Sequence, residues 1–148
     1  MVSRKGERFI NSAAEQALKS PCLMRHGCVA VLNGRVIGRG FNNYRCNSSD
    51  GFIKDTMTCH AEIAALRQVS KSKSNFKKIV LYVVRIDGDD ILQESCPCKD
   101  CMDKIKILGI KRVIHSTNQG GIKIKNPKNC IIKHITNGKR TLIEIKSN

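Results

Sequence analysis

The sequence has no apolar run approaching the roughly 20 residues that a membrane-spanning helix needs, and it has no tryptophan. The first absence leaves no candidate transmembrane segment. The opening stretch MVSRKGERFINSAAEQ also lacks the apolar core of a signal peptide. A cytoplasmic protein without membrane contact is therefore expected. Aromatic residues are scarce as well, with two Tyr and four Phe in 148 residues. A surface that stacks successive nucleic-acid bases needs aromatic platforms, and this composition speaks against a long one. No internal repeat, low-complexity tract or linker divides the chain. One domain is expected over residues 1–148, with its core at about 8–117 and an extension over 118–148.

Acidic residues number 12 against 27 Lys and Arg, a formal charge of +15. Such a surplus suits an anionic partner, whether a nucleotide phosphate or a polynucleotide. The lysines are spread along the chain, however. The composition is rich in Lys, Ile and Asn, as an A+T-rich genome produces regardless of function. Nucleic acid thus stays open as a partner.

Eight cysteines without a secretion signal point to metal or catalytic use, not to a disulfide framework. Only Cys96, Cys98 and Cys101 are clustered. Cys22, Cys28 and Cys130 read as small buried hydrophobes.

Residues Arg8 to Ser20 predict a helix from two rows at four-residue spacing, Phe9/Ala13/Ala17 and Ile10/Ala14/Leu18. Pro21 ends it. The runs Cys28–Leu32 and Arg35–Gly38 flank Asn33-Gly34, a strong hairpin signal. A polar loop leads to Thr58, placed to cap a helix from Cys59 to about Val69. Lys78 to Ile86 is an apolar strand of central type. A helix from Cys98 to Leu108 follows, stopped by Gly109, and then a strand from Lys111 to Ser116. Gly120-Gly121 marks a turn, and Ile131–Thr136 is expected to pair with Thr141–Ile145 across Asn137-Gly138. These elements predict an α/β protein. The expected fold is a three-layer α/β/α sandwich on one mixed five-stranded sheet, with antiparallel C-terminal strands.

Two segments carry the chemistry: Cys59-His60-Ala61-Glu62 and Ser95-Cys96-Pro97-Cys98-Lys99-Asp100-Cys101. A catalytic zinc takes three protein ligands and leaves one position open. Cys98 and Cys101 are three apart, so in a first helical turn their sulfurs share a face. The positive helix end favours their thiolates. His60 would be the third ligand, with Glu62 close by but not bound. A carboxylate there can take a proton from water and pass it to a ring nitrogen and a leaving amine. Cys96 offers a second possible ligand pair. A structural site would recruit Cys96 or Cys59 as a fourth ligand, but would have no use for Glu62.

His60-Ala61-Glu62 with Pro97-Cys98-x-x-Cys101 resembles the signature of the cytidine and deoxycytidylate deaminase superfamily. The likeness runs from about Leu23 to Thr117. The family's Pro-Cys-x-x-Cys falls on Cys98 and Cys101 without a gap, which implies His60, Cys98 and Cys101 as metal ligands and Glu62 as the catalytic residue. A Gly-x-Asn that touches the sugar in the family falls on Gly40-Phe41-Asn42. Main-chain groups that touch the base fall on the N–H of Ala61 and the C=O of Ser95.

The resemblance implies one Zn2+ per chain and hydrolytic release of ammonia from cytosine, leaving uracil. The expected substrate is a free nucleoside or nucleotide: cytidine, deoxycytidine or deoxycytidylate. A polynucleotide-editing deaminase and a non-enzymatic zinc-binding module are the alternatives, and a homo-oligomer is expected.

Three further features stand beside this resemblance. The loop Asp87–Glu94 is long. No helix follows the fourth strand, as in free-cytidine deaminases, yet those generally use Cys where this chain has His60. The segment from His134 to Arg140 reads as a hairpin end with exposed bases.

Overall fold

The computed structural model describes residues 3–45, 47–53, 59–72 and 74–130. Helix α1 spans Arg4–Leu18, followed by β1 (Arg25–Leu32) and β2 (Arg35–Phe41). Then come α2 (Ala61–Lys71), β3 (Val80–Ile86), β4 (Leu92–Gln93), α3 (Lys99–Leu108), β5 (Arg112–Ser116) and β6 (Ile122–Lys125). The sheet runs β2-β1-β3-β5-β6, with β4 attached to β3. Only β3 and β5 run parallel; the other pairs are antiparallel.

Alternation along the strands sorts side chains onto two faces. Val29, Val31, Tyr82, Val84, Ile86 and Ile114 pack under α1 through Phe9, Ile10, Ala13 and Ala17. On the opposite face, Cys28, Ala30, Leu81, Val83 and Val113 pack against Ala65, Leu66 and Val69 of α2 and Met102 and Ile105 of α3. This is the expected sandwich, with the five-strand path in place and β4 as a sixth, two-residue strand.

Local chemistry moved several boundaries. Helix α1 starts earlier than predicted because the Ser3 hydroxyl accepts the Gly6 N–H at 3.1 Å, capping it. Helix α2 starts at Ala61, later than the predicted Cys59, with His60 as its N-cap; Thr58 lies outside the described residues. Residues Phe76–Lys78 form a 3₁₀ turn, which delays β3 to Val80.

After the turn at Gly120-Gly121, β6 lies directly on β5. The antiparallel strand thus comes earlier than expected, and the predicted pair 131–136 and 141–145 lies outside the described residues. Among those described, no helix is long and apolar enough to cross a membrane.

Gly40 sets the distance between sheet and α2. A Cβ there would stand 2.5 Å from the Ala65 nitrogen and 2.6 Å from the Ala61 oxygen, so backbone would have to move. Gly40→Ala should lower stability by about 1–3 kcal/mol, read from the denaturant midpoint. An unchanged midpoint would show that α2 is not held where it is by this contact.

Candidate active site

Two helices begin at one place. His60 is the N-cap residue of α2 and Cys98 that of α3, and neither side chain caps its own helix. Both are extended at ψ 153° and 171°, which turns their side chains away from the helix they precede and toward each other. Cys101 lies in the first turn of α3, on the face the three-residue spacing requires.

The His60 Nδ1 atom stands 3.1 Å from Cys101 Sγ and 3.6 Å from Cys98 Sγ. One donor atom from each of the three residues falls within 4.8 Å of the others. Ligands of a tetrahedral zinc at about 2.0–2.3 Å stand about 3.5 Å from one another. The donor set, one imidazole and two thiols, and its spacing therefore fit one zinc ion.

Glu62 is only 4% exposed, in the first turn of α2. Burial raises its pKa above the ordinary carboxyl value, against the pull of nearby His60. Its carboxylate is within hydrogen-bonding reach of the Cys101 thiol. A hydrogen bond from Cys101 brings Cys98 down to about 4, and Cys101 itself is pushed up. A carboxyl group so deeply buried is rare without a paired charge or a task.

Three further predicted residues are Ala61, Ser95 and Asn42. Ala61 is the first residue of α2, so its N–H lies outside the helical hydrogen-bond ladder. Ser95 is buried, and its hydroxyl donates to the Val83 carbonyl at 2.8 Å. Its N–H donates to Ser116 at 3.0 Å. The segment before Pro97 is thereby tied to β3 and β5.

Asn42 is already engaged. Its Oδ1 accepts from the His26 N–H at 2.8 Å and the Ser20 hydroxyl at 2.6 Å, and its Nδ2 donates to the Met24 carbonyl at 2.6 Å. One Nδ2 hydrogen remains without a partner among the described residues.

Cys96 does not join the His60 group; its thiol gathers instead with Glu94 and His115. Cys59 is buried, and its thiol points to the His60 carbonyl at 3.5 Å. Phe52 is partly buried against the core beneath the Lys104 ammonium, while Tyr44 is 61% exposed. The segment from His134 to Arg140 lies outside the described residues.

Sequence reasoning missed His26 and Arg85. They are cross-strand partners on β1 and β3. Burial brings the His26 pKa down to about 4, against a hydrogen bond with Met24, and it feels the charges of His60, Arg85 and Cys98. The available signal was period-two alternation, which puts Leu81, Val83 and Arg85 on one face.

Comparison with known proteins agrees with this geometry. The profile of the "Cytidine and deoxycytidylate deaminase zinc-binding region" matches residues 3–117. Deoxycytidylate deaminase of Schizosaccharomyces pombe is 32% identical over 127 residues, covering 74% of this chain and 36% of that protein. The Saccharomyces cerevisiae enzyme of the same name is 31% identical over 123 residues, covering 73% and 36%. The chain thus spans about a third of the length of these curated relatives.

Among solved structures, cytidine deaminase from Burkholderia pseudomallei has a TM-score of 0.65 at 20% identity, covering 87% of this chain and 98% of that one. Apo dCMP deaminase from cyanophage S-TIM5 has a TM-score of 0.58 at 24% identity, covering 74% and 79%. These two support the fold, and the profile match over most of the sequence decides the rest: the chain belongs to the cytidine and deoxycytidylate deaminase zinc-binding family.

Proposed function

We propose that the protein hydrolyses the exocyclic amino group of a cytosine carried by a free nucleoside or nucleotide. The observation that carries this reading is Glu62, buried beside a three-donor group fit for zinc. A structural metal site has no use for such an acid. The two curated relatives, both deoxycytidylate deaminases, support the same substrate class.

His60, Cys98 and Cys101 would hold the zinc. Bound there, the ion would acidify a water, lowering its pKa to about 7. Glu62 is the residue that would accept a proton from water and return protons to the cytosine ring nitrogen N3 and the departing amine. The net reaction adds water at C4, breaks the bond from C4 to the amino nitrogen, releases ammonia and leaves uracil. A pKa raised by burial suits a group that must both accept and return a proton near neutrality. The Ala61 N–H and the Ser95 C=O orient the base. The free Nδ2 hydrogen of Asn42 reaches the sugar.

The polynucleotide reading draws support from the charge of +15. Against it, Lys77, Lys111, Arg112 and Lys128 line one cavity of about 410 Å³. That cavity lies where β3 and β5 begin, the end of the sheet opposite Glu62. The test measures ammonia release from deoxycytidylate, cytidine, deoxycytidine and a cytosine-bearing single strand, at low and moderate salt. Monomers should react with mild salt dependence. Single-strand binding through lysines would lose about 0.7 in log affinity per log salt for each neutralised phosphate. Reaction of the single strand alone, collapsing as salt rises, would overturn the free-nucleotide reading.

A further inference from the structure

Strand β3 turns back into β4 through Asp87, whose side chain accepts the N–H groups of Asp89 and Ile91. The chain then runs through Glu94-Ser95-Cys96 beside the end of β5 before reaching Pro97. Ser95 faces inward. Its hydroxyl lies 2.8 Å from the Ser116 hydroxyl, and its N–H donates to the Ser116 carbonyl at 3.0 Å. Neighbours along an extended chain point to opposite sides. Glu94 and Cys96 therefore turn away from Ser95, as His115 turns away from Ser116. The three meet on that side. One ring nitrogen of His115, one Glu94 oxygen and Cys96 Sγ all lie within 4.8 Å of one another.

The chemistry proposed for Glu62 makes no use of this group, and an ion pair does not account for it. His115 Nδ1 stands 3.7 Å from the Glu94 carboxylate, too far for a hydrogen bond, and burial lowers the His115 pKa, which keeps the ring neutral. Nδ1 instead meets the Ser116 carbonyl at 3.0 Å. A carbonyl only accepts, so Nδ1 carries the ring proton and Nε2 keeps a lone pair. The His115 side chain is 0% exposed, and Nε2 has no hydrogen-bond partner among the described residues. An orphaned buried acceptor is costly. Metal-binding histidines share this arrangement, with the other ring N–H given to a carbonyl or a carboxylate.

We infer that Glu94, Cys96 and His115 form a second metal site, which takes an exchangeable zinc ion. Imidazole, thiolate and carboxylate together suit this borderline-soft ion, whereas calcium and magnesium want oxygen donors alone. Ligands of a tetrahedral zinc stand about 3.5 Å apart. The Glu94 side chain is 47% exposed, so it has room to close in and leaves the ion a route from solvent. The Lys125 ammonium lies within hydrogen-bonding reach of the Cys96 thiol. A positive charge there opposes a dication, so the ion is held less firmly than one on His60, Cys98 and Cys101. Exhaustive dialysis should remove it and leave the other. Once bound, it would fasten the chain on both sides of Ser95 to β5. The inference stands apart from the deaminase reading.

The test starts from the dialysed full chain, still holding the zinc of the His60 site, and adds cobalt(II) alone. Wild type should take up about one further ion per chain and show the absorption of a thiolate-bound cobalt. Cys96→Ser should abolish that absorption and weaken uptake by more than roughly 10- to 100-fold, the cost of losing even an outer partner of a metal site. Metal analysis should find its zinc retained. His115→Gln should weaken uptake in the same way, and Glu94→Gln, at a half-exposed position, gives the reading if the buried variant fails to fold. Cys22→Ser, outside the group, should change nothing.

If Cys96→Ser disturbs both sites, loss of cobalt with zinc retained in His115→Gln or Glu94→Gln still upholds the inference. A wild type that takes up no further ion overturns it, as does uptake that survives Cys96→Ser or fails in Cys22→Ser. Cobalt lost only together with zinc in every variant overturns it too, since the ion would then sit at His60.

Discussion

Glu62→Gln is expected to yield a folded, zinc-loaded protein whose deamination rate has fallen by about 10²- to 10⁴-fold or more. Gln keeps the shape of the side chain and can still meet the Cys101 thiol, but it cannot carry a proton between water, ring nitrogen and amine. One residue here serves more than one proton transfer, so the loss should reach the upper part of that range. The substitution also removes a buried carboxyl group that carries a desolvation cost, so the thermal midpoint should hold or rise. Single-turnover rates, metal content and melting curves on the same preparation check all three statements. Near-normal turnover would end the proposed mechanism.

Cys98→Ser and Cys101→Ser should each reduce bound zinc from about one per chain to a small fraction, since a serine hydroxyl replaces a thiolate ligand. Cys96→Ser should keep its zinc, because Cys96 gathers with Glu94 and His115, apart from His60. Metal analysis after exhaustive dialysis reads this directly. If Cys96→Ser alone emptied the protein, the ligand pair would be Cys96 and Cys98, and Cys101 would be a buried thiol of α3.

The cluster itself was legible in the sequence because its parts lie in two short contiguous stretches. The helix start after Pro97 and the three-residue spacing of Cys98 and Cys101 are local facts, and local geometry follows from them. The hairpin at Asn33-Gly34 was legible for the same reason. What could not be read was anything set by register. Arg85 meets His26 only because β1 and β3 pair in one of several offsets open to two apolar strands. No spacing rule joins residues 26 and 85. Strand β4 escaped because two residues carry no periodicity, and its pairing depends on the side chain of Asp87 closing the turn. Asn42 shows a further limit. Its place after β2 was readable, but not the three hydrogen bonds that hold it to His26, Ser20 and Met24.

The absence of side-chain caps on α2 and α3 bears on how the protein fares when zinc is scarce. Helix starts commonly rely on Ser, Thr, Asp or Asn to satisfy their first N–H groups, and α1 does so with Ser3. At α2 and α3 those places are given to His60 and Cys98. A metal gripping both residues would tie two helix starts together and do for them what a cap does elsewhere. In a zinc-starved cell newly made chains would then hold their two central helices less firmly. Metal supply would govern how long the protein survives, as well as whether it works.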